Sequence, residues 1–425
     1  MIFRYRVRVM YIFLLLILYK ISYICFNVKL GIKGHALFLG IIFLYYLFDI
    51  LNFKDRKFEA KDIIYSILIN CFVFGINFLM KINYKILSSL ILFSIVQLLL
   101  KRLLIKNRTN VARVLIIDDG RHLARLIKVL QGDIKYSYAG YVSDEKIKEE
   151  NYLGKVSDIE NIIKRKEITG VVFTNKKQIK NHLDLIVKVK LQGIKVMDYI
   201  NFLELAEGKV DADEISSTWV LFTSGFETFS NAFQKRLKRM FDLCLSIMIG
   251  IPALPVMIIS AIIVKFGSTG PIIYSQARVG ENQKEFYVHK FRSMRNDAEK
   301  NGAKWAVEND PRVTKYGNFM RKTRIDELPQ IWNVLRGEMS FIGPRPERKI
   351  FIKEIEKVVG YYNLRHSVKP GLTGWAQVMY PYGASIEDAK RKLEYDLFYV
   401  KHQNFTLDMV IFFKTIKTVL LGKGR

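Results

Sequence analysis

The sequence predicts a membrane-anchored protein that combines transmembrane α-helices with two α/β regions. Half of the 425 residues are hydrophobic, yet Lys and Arg outnumber Asp and Glu by 67 to 40, which gives a formal net charge of +27. Apolar segments dominate the N-terminal region, and beyond it short apolar runs alternate with amphipathic stretches. This combination is typical of a membrane protein that faces anionic membrane lipid or anionic ligands. Nucleic-acid binding is disfavoured, because the cations flank apolar spans and form no single basic stripe.

The N-terminal region (residues 1–109) predicts four transmembrane helices. Each of the four apolar segments is close to the ~20 residues that cross a bilayer as a helix. Basic residues are denser before the first segment, between the second and third, and after the fourth than in the alternate loops. Because basic loops stay in the cytoplasm, both ends of this anchor are predicted to face it. The segments are residues 11–26, 36–53, 63–80 and 86–100.

Residues 110–215 predict a doubly wound α/β domain. VLIID is a short apolar run suited to a buried parallel strand, and HLARLIKVL follows it at helical spacing. SYAGYV, DIENIIKRK and GVVFT repeat the alternation. A dinucleotide-binding glycine fingerprint is absent, and Asp118 and Asp119 stand where a pyrophosphate would meet the helix N-terminus. We expect a structural or regulatory domain that binds neither NAD nor NADP, with nucleotide binding as the alternative.

An aromatic-rich connector (residues 216–233) leads to a long apolar run at residues 240–264. Pro252 and Pro255 lie near the middle of this run, where proline removes a backbone donor and clashes one turn back. Basic residues flank the run on both sides, which favours both ends on the cytoplasmic face. The prediction is a kinked re-entrant helix that enters and leaves the membrane by one face. A straight fifth span is the alternative.

The densest mixture of acids, cations and turn residues lies between Gly270 and Glu347. KFRSM and SFIGPRPE set charges beside apolar residues, so we expect these charges to line a cleft. Arginine forks suit phosphate oxygens, and carboxylates hold Mg2+ or attack an electrophile. An anionic-ligand site is therefore favoured over a salt-bridged surface. The charged candidates are Arg278, Lys290, Arg292, Asp297, Glu299, Arg321, Asp326, Glu327 and Arg345.

Four motifs of this region resemble one known family. GPIIYSQARVG, KFRSM, IDELPQIWNVLRGEMSFIGPRPE and VKPGLTGWAQV, in this order, are similar to the bacterial sugar transferases. These are monotopic phosphoglycosyl transferases, the polyprenyl-phosphate hexose-1-phosphate transferases that start capsule, exopolysaccharide or O-antigen (lipopolysaccharide) repeat units. The resemblance covers residues 234–425 and implies a membrane-associated α/β catalytic domain with a re-entrant helix. Similar members carry Ser-Pro at the kink, where this chain has Leu254-Pro255.

The upstream half resembles the long-form members more loosely, and these carry a Rossmann-like domain at residues 110–215. As a whole, the resemblance implies a multi-pass protein of the bacterial inner (cytoplasmic) membrane with its catalytic domain on the cytoplasmic face. The reaction it implies moves a hexose-1-phosphate from a UDP-sugar to undecaprenyl phosphate and releases UMP. Its implied pathway passes through a covalent aspartyl phosphosugar intermediate, with Mg2+ as cofactor.

The adjacent Asp-Glu of the family matches Asp326-Glu327 in IDELPQ. The resemblance thus makes Asp326 the nucleophile and Glu327 its metal or general-base partner. We expect Arg321 and Arg324 to keep Asp326 ionised by lowering its pKa. The alternative is that the two acids only decorate the first turn of a helix, where the helix dipole favours them. The phosphate-binding candidates are Lys290, Arg292, Arg321 and Arg345, with surface ion pairs as the alternative for each.

Asp297 and Glu299, downstream of KFRSM, form a rival acidic pair. Residues two apart on a helix do not share a face, which favours Asp326. Beyond the core, residues 350–359 and 389–400 are expected to form amphipathic helices, with Trp375 exposed between them. The last residues are expected to form a helix on the membrane surface, with core packing as the alternative.

Two other functions stay open at this stage. A membrane-anchored nucleotide-sugar dehydratase or epimerase would need the dinucleotide fingerprint that the sequence lacks. A non-catalytic membrane scaffold of the polysaccharide assembly machinery would release no UMP. A transporter is disfavoured, because the spans hold almost no paired charges. The sequence does not determine which hexose is transferred, and it leaves open a homodimer through the aromatic connector.

Overall fold

The computed structural model divides the chain into two compact units, residues 1–207 and 208–425. The alternation of strand and helix patterns in the sequence placed the corresponding boundary at residue 215. The rival acidic pair, Asp297 and Glu299, lies outside the described residues. The structure describes residues 40–42, 44–45, 60–79, 84–106, 112–118, 120, 122–131, 136–145, 151–174, 180–223, 232–295, 298, 310–380, 383 and 385–420.

Two N-terminal helices coincide with the third and fourth predicted spans. They are α1 (Ala60–Leu79) and α2 (Tyr84–Lys106). The hydroxyl of the buried Tyr45 donates to Ser94 Oγ at 2.8 Å and lies 3.1 Å from Ser66 Oγ. These hydrogen bonds join three segments whose other side chains are mostly apolar, as polar residues do between membrane helices. The first span and most of the second lie outside the described residues, so the four-helix anchor stays a prediction.

The middle of the first unit is a five-stranded parallel sheet, whose strands lie in the order β3 (Tyr152–Gly154), β2 (Tyr136–Val142), β1 (Ala112–Ile117), β4 (Gly170–Phe173) and β5 (Lys195–Asp198). Alternate residues of β1 face opposite sides, so Val114 and Ile116 pack in one apolar cluster and Leu115 and Ile117 in another. This confirms the predicted parallel sheet. The elements are β1 (Ala112–Ile117), α3 (Leu123–Gln131), β2 (Tyr136–Val142), β3 (Tyr152–Gly154), α4 (Ile159–Lys166), β4 (Gly170–Phe173), α5 (Leu183–Leu191), β5 (Lys195–Asp198) and α6 (Tyr199–Glu207).

The second unit is mainly helical. Its described residues contain an antiparallel hairpin, β6 (Ile273–Val279) with β7 (Glu285–Phe291), and a short parallel pair, β8 (Ser340–Ile342) with β9 (Gly371–Thr373). The elements are α7 (Ser217–Phe222), α8 (Ala232–Gly267), β6 (Ile273–Val279), β7 (Glu285–Phe291), α9 (Lys315–Thr323), the 3-10 helix Ile325–Gln330, α10 (Ile331–Arg336), β8 (Ser340–Ile342), α11 (Lys349–Glu356), the 3-10 helix Tyr362–Ser367, β9 (Gly371–Thr373), α12 (Trp375–Met379), α13 (Ile386–His402) and α14 (Phe405–Leu420).

Helix α8 contains 36 residues, with Pro252 and Pro255 inside it. Among the described residues it is the one helix that is long and apolar enough to cross a membrane, by length and composition. The side chains around the prolines are apolar and exposed, and Ile251, Leu254 and Ile258 each leave more than half of their surface uncovered. The apolar run predicted from the sequence is therefore a helix whose middle leaves most of its apolar side chains exposed.

Both halves of α8 are fastened to the same unit by polar contacts. In the N-terminal half, the buried carboxylate of Asp242 accepts hydrogen bonds from Ser340 Oγ and from the Phe341 amide, both at 2.9 Å. In the C-terminal half, Ser260 Oγ lies 2.8 Å from Tyr316 Oη. Buried hydrogen bonds of this kind are costly to break, because they leave an unsatisfied polar group behind. The helix therefore has both of its ends against one unit.

Trp375 is buried, which corrects the expectation that it is exposed. Its ring is 1% exposed and stacks on Phe398 of α13, with ring centroids 6.0 Å apart. Its indole Nε1–H donates to the Gly208 carbonyl at 2.7 Å. The surrounding turn residues suggested a surface position. However, α12 packs along α13, so the ring points into the core.

The C-terminal helix α14 uses part of its apolar face for packing, the alternative that the sequence left open. Phe405 and Phe412 pack edge-on against Phe241 of α8, with ring centroids 5.5 Å and 6.3 Å away. Edge-to-face pairs add a modest stabilisation, about 0.5–1.5 kcal/mol, to the burial of the rings. Helix α14 therefore packs against the N-terminal part of α8 and stabilises it.

Candidate active site

Asp326 and Glu327 lie in the first turn of the 3-10 helix Ile325–Gln330. Arg324, just before it, adopts a left-handed conformation with φ of 60°, which ends α9 and turns the chain. Both acidic side chains are buried, with 7% and 6% of their residue surface exposed. A buried carboxylate must be paired with a cation or lose its charge, so the partners of these two acids decide their chemistry.

Glu327 Oε1 is the centre of three ion pairs. Arg345 Nη2 lies 2.7 Å from it, Lys290 Nζ 3.2 Å and Arg324 Nη1 3.4 Å. Burial opposes ionisation of Glu327, but these three cations outweigh it and hold the pKa well below its usual range. The cationic side chains are 24–36% exposed, against 8% for Glu327. Each cation can therefore still meet an incoming anion.

Asp326 has a different environment. Burial raises its pKa, and the charge of Glu327 raises it further. Arg321 and Arg324 oppose the shift, so the expectation that they keep this pKa low is wrong, because burial has the larger effect. Asp326 Oδ1 is buried and has no hydrogen-bond partner among the described residues. An unsatisfied carboxylate oxygen is available to a ligand that brings positive charge or an electrophilic atom.

Asn333 connects the strand that carries Lys290 to the helix that follows the two acids. Its Nδ2 donates to the Tyr287 carbonyl at 2.7 Å, and the His289 amide donates to its Oδ1 at 3.2 Å. Asn333 is fully buried on α10, which begins directly after the 3-10 helix. Sequence analysis missed this residue. The available signal was one amide inside the apolar segment IWNVL.

Arg345 lies in the loop that follows β8, and this loop is fastened to β9. The Gly343 amide donates to the Thr373 carbonyl, and the Gly371 amide donates to the Pro344 carbonyl, both at 2.9 Å. A Cβ on Gly343 would overlap the backbone of the segment that leads into β9, so only glycine fits there. Prolines on both sides of Arg345 further restrict its backbone.

The remaining predicted cations divide between two places. Arg321 Nε donates to Ser293 Oγ at 3.0 Å, and its charge acts on Asp326, so it belongs to the cluster. Arg292 is 6% exposed and does not join the ion pairs around Glu327. Its guanidinium donates to the carbonyls of Val264 and Ser268, at 3.2 Å and 2.6 Å, and so closes the C-terminus of α8.

The two acids are candidate magnesium ligands. No group of three or more His, Cys, Asp and Glu that could hold a metal occurs in the described part of the chain. Mg2+ is commonly held by one or two carboxylates together with substrate phosphates, so a two-carboxylate site is sufficient. The unpartnered oxygen of Asp326 suits this role, whereas Oε1 of Glu327 is already engaged by cations.

Comparison with known proteins places this cluster inside a recognised family segment. The family model described as bacterial sugar transferase matches residues 233–422. That segment begins at the start of α8 and contains every described member of the cluster. It excludes the parallel sheet of the first unit.

Three relatives illustrate the similarity. The chain is 45% identical over 189 residues to the UDP-N-acetylgalactosamine-undecaprenyl-phosphate N-acetylgalactosaminephosphotransferase of Aeromonas hydrophila, covering 44% of each protein. It is 34% identical over 281 residues to a UDP-glucose:undecaprenyl-phosphate glucose-1-phosphate transferase of Klebsiella pneumoniae, covering 65% of this chain and 59% of the relative. It is 39% identical over 196 residues to the exopolysaccharide production protein PSS of Rhizobium leguminosarum bv. phaseoli, covering 44% of this chain and 98% of the relative. The chain thus spans about half the length of the first two relatives and nearly all of the third.

Proposed function

The chain belongs to the bacterial sugar transferase family, and from that premise we propose that it is a phosphotransferase that starts a polysaccharide repeat unit. In this proposal it moves a hexose-1-phosphate from a UDP-sugar to undecaprenyl phosphate and releases UMP. The observation that carries the proposal is the buried pair Asp326 and Glu327 among partly exposed cations. Such a site suits a diphosphate, whose oxygens need positive charge before a carboxylate can approach.

Asp326 is the proposed nucleophile. Its carboxylate oxygen attacks the phosphorus that bears the sugar, and the bond from that phosphorus to the oxygen bridging the two phosphates breaks. UMP leaves with the electron pair, and the sugar phosphate stays on Asp326 as an acyl phosphate. An oxygen of undecaprenyl phosphate then attacks the same phosphorus and releases the carboxylate. The unpartnered Asp326 Oδ1 supports this assignment, because no hydrogen bond has to be broken before it attacks.

Lys290, Arg324 and Arg345 are proposed to neutralise the phosphate oxygens. They already converge on one carboxylate oxygen, so an incoming phosphate meets a preorganised set of donors and requires little rearrangement. Mg2+ held through Asp326, with Glu327 as the second carboxylate beside it, would supply further neutralisation of the diphosphate charge. Glu327 also keeps these cations in place before the substrate binds.

Helix α8 is proposed to be re-entrant in the bacterial inner membrane, with the second unit on the cytoplasmic face. Its two halves contact the same unit through Asp242 and Ser260, while its exposed middle is apolar and contains Pro252 and Pro255. A straight span would have to carry one of these two contacts to the far side of the bilayer. This position also brings the site to the surface where a polyprenyl phosphate has its head group.

The test is release of UMP by the purified full-length chain in lipid nanodiscs that contain undecaprenyl phosphate. A panel of UDP-sugars with glucose, galactose and their N-acetylated forms should give UMP with at least one member. Release that depends on both the sugar nucleotide and the lipid supports the proposal. The absence of UMP with every sugar would favour a scaffold of the polysaccharide machinery.

A further inference from the structure

Arg365 is a buried arginine outside the ion pairs around Glu327. It is 4% exposed and lies in the 3-10 helix Tyr362–Ser367. Its Nε and Nη2 lie 3.0 Å and 2.7 Å from Oδ2 of Asp396, a carboxylate of α13 that is 1% exposed. The third nitrogen, Nη1, donates to the hydroxyl of Tyr362 at 2.7 Å. The guanidinium is therefore held in one orientation.

In that orientation Arg365 contacts the backbone of the site. Its Nη2 donates to the carbonyl oxygen of Arg345 at 2.9 Å. Arg345 in turn donates to Glu327 Oε1 at 2.7 Å. The prolines that flank Arg345 have no backbone N–H, and Arg365 supplies a side-chain donor to the carbonyl of Arg345 itself. A line of contacts runs from Asp396 through Arg365 to the acids of the site.

We propose that Arg365, oriented by Asp396, is a positioning residue that determines where the Arg345 side chain meets Glu327. The inference rests on the proposed function, because it assigns Arg365 a part in the same reaction. Arg365 itself touches neither acid in the structure and acts through Arg345.

The chemistry of the pair supports a positional role. Burying two charges costs free energy that their attraction often fails to recover, and a packed apolar pair of similar volume is often no less stable. Stability alone is therefore a weak reason for an arginine and a carboxylate at this place. A guanidinium can serve a carboxylate and a carbonyl at once through its planar fork. Lysine keeps the charge, but its compact ammonium group cannot reproduce that geometry.

The test uses Arg365→Lys with Arg391→Lys as the matched control. Arg391 lies on α13, pairs with Glu387 and Glu394, and is 35% exposed. Arg365→Lys should lower kcat/KM for UMP release about tenfold, a loss within the range found for residues coupled through direct contacts. Arg391→Lys should lower kcat/KM less than about twofold. Melting temperatures of both variants show whether the loss follows stability.

A double-mutant cycle then separates positioning from general damage. If Arg365 acts through Arg345, then adding Arg365→Lys to Arg345→Ala should lower kcat/KM less than about twofold further. Losses that multiply across the two sites would overturn the proposal. The proposal would also be overturned if, in both Arg365→Lys and Arg391→Lys, the loss of kcat/KM were simply proportional to the fall in melting temperature.

Hydrogen exchange gives a readout that does not require transferase activity. Exchange in the peptide that spans residues 339–349 should be faster in full-length Arg365→Lys than in the wild type or in Arg391→Lys. Unchanged exchange there would overturn the positioning role even if the enzyme is active. A wild type without UMP release would refute the proposed function, and the exchange data would still decide whether Arg365 holds this loop.

Discussion

Arg345 Nη2 lies 2.7 Å from Glu327 Oε1, and it is the nearest of the three cations around that oxygen. Charge-assisted hydrogen bonds of this length are among the strong ones in proteins. The contact helps to keep the buried Glu327 ionised. Burial raises the pKa of the neighbouring Asp326, and the negative charge of Glu327 raises it further. The two adjacent acids are thereby differentiated, since one is paired with cations and the other has a carboxylate oxygen without a hydrogen-bond partner.

The first prediction assigns the nucleophile. Asp326→Asn keeps the shape of the side chain and removes the attacking charge, so it should abolish both UMP release and a sugar-phosphate adduct on the protein. Loss of a covalent nucleophile commonly costs more than about 4 kcal/mol of barrier. Mass spectrometry after incubation with UDP-sugar alone measures the adduct. Glu387→Gln, an exposed acid on α13, is the control and should retain the adduct.

Two outcomes would contradict this assignment. An adduct that persists in Asp326→Asn and disappears in Asp297→Asn would move the nucleophile to the rival pair. Turnover by the wild type without any adduct would favour direct attack by the lipid phosphate.

Glu327→Gln is expected to lower activity severely while the protein stays folded, because Lys290, Arg324 and Arg345 lose the negative charge that holds them together.

The second prediction concerns stability and pH. His366 is 6% exposed, and burial, together with the charge of Arg365, lowers its pKa to about 3. In the unfolded chain this histidine takes up a proton below about pH 6.5, whereas the folded protein does not until near pH 3. The free energy of unfolding should therefore fall as the pH drops below the pKa of the unfolded histidine, by about 2 kcal/mol at pH 5.

Melting temperatures at pH 7 and pH 5 check this prediction. His366→Gln removes the titrating group, so its melting temperature should fall less between the two pH values than that of the wild type. His182→Gln serves as control, since His182 is 24% exposed beside Asp144 in the other unit. Equal falls in the wild type and in His366→Gln would show that other groups dominate the acid sensitivity.

The third prediction concerns the topology of α8. Because both halves of the helix contact one unit and basic residues flank its apolar run on both sides, a reporter fused after Arg425 should behave as cytoplasmic. Replacing Pro252 and Pro255 together with leucine restores two helical hydrogen bonds and should straighten the helix, which moves part of the reporter population outward. A periplasmic reporter on the wild type would contradict re-entry. Leu254→Ser, which adds a polar group beside the same prolines, is the control that should leave the reporter inside.

Local pattern was enough to predict some of this structure. The apolar run VLIID became β1, and the acids of IDELPQ lie together in one turn. The features that the sequence did not predict depend on contacts between distant segments. Asn333 reaches the backbone of β7 more than 40 residues upstream, and Arg365 meets Asp396 31 residues downstream. Periodicity records which face of an element is apolar, but not which polar groups meet in the core.

The direction of the Asp326 pKa shift shows the same limitation in energetic terms. Its neighbours in sequence include two arginines, and from these alone a lowered pKa was the reasonable expectation. The outcome depends on how deeply the carboxyl group is buried and on which acid those cations pair with. The structure pairs one of them, Arg324, with Glu327. Desolvation therefore has the larger effect on Asp326.

The last prediction concerns where the second unit begins. Residues 208–214 precede the segment matched by the family model, yet they are fastened to α12 and α13. The Gly208 carbonyl accepts from Trp375 Nε1 at 2.7 Å, and the Val210 amide donates to the Glu394 carbonyl at 2.9 Å. A chain that starts at Gly208 should therefore keep the melting temperature and the UMP release of the second unit. A chain that starts at Leu221 loses both contacts.

The loss of the hydrogen bond from Trp375 should lower the melting temperature by a predictable amount. An indole N–H that is buried without an acceptor costs about 1–3 kcal/mol, which lowers the melting temperature of a unit of this size by about 2–4 °C per kcal/mol. Trp375→Phe removes the donor, so the difference in melting temperature between the two truncated chains should narrow in that background. Equal melting temperatures of the two truncations with Trp375 intact would show that residues 208–220 do not support the transferase unit. In that case the boundary near residue 215, which the strand and helix pattern of the sequence predicts, would be the better one.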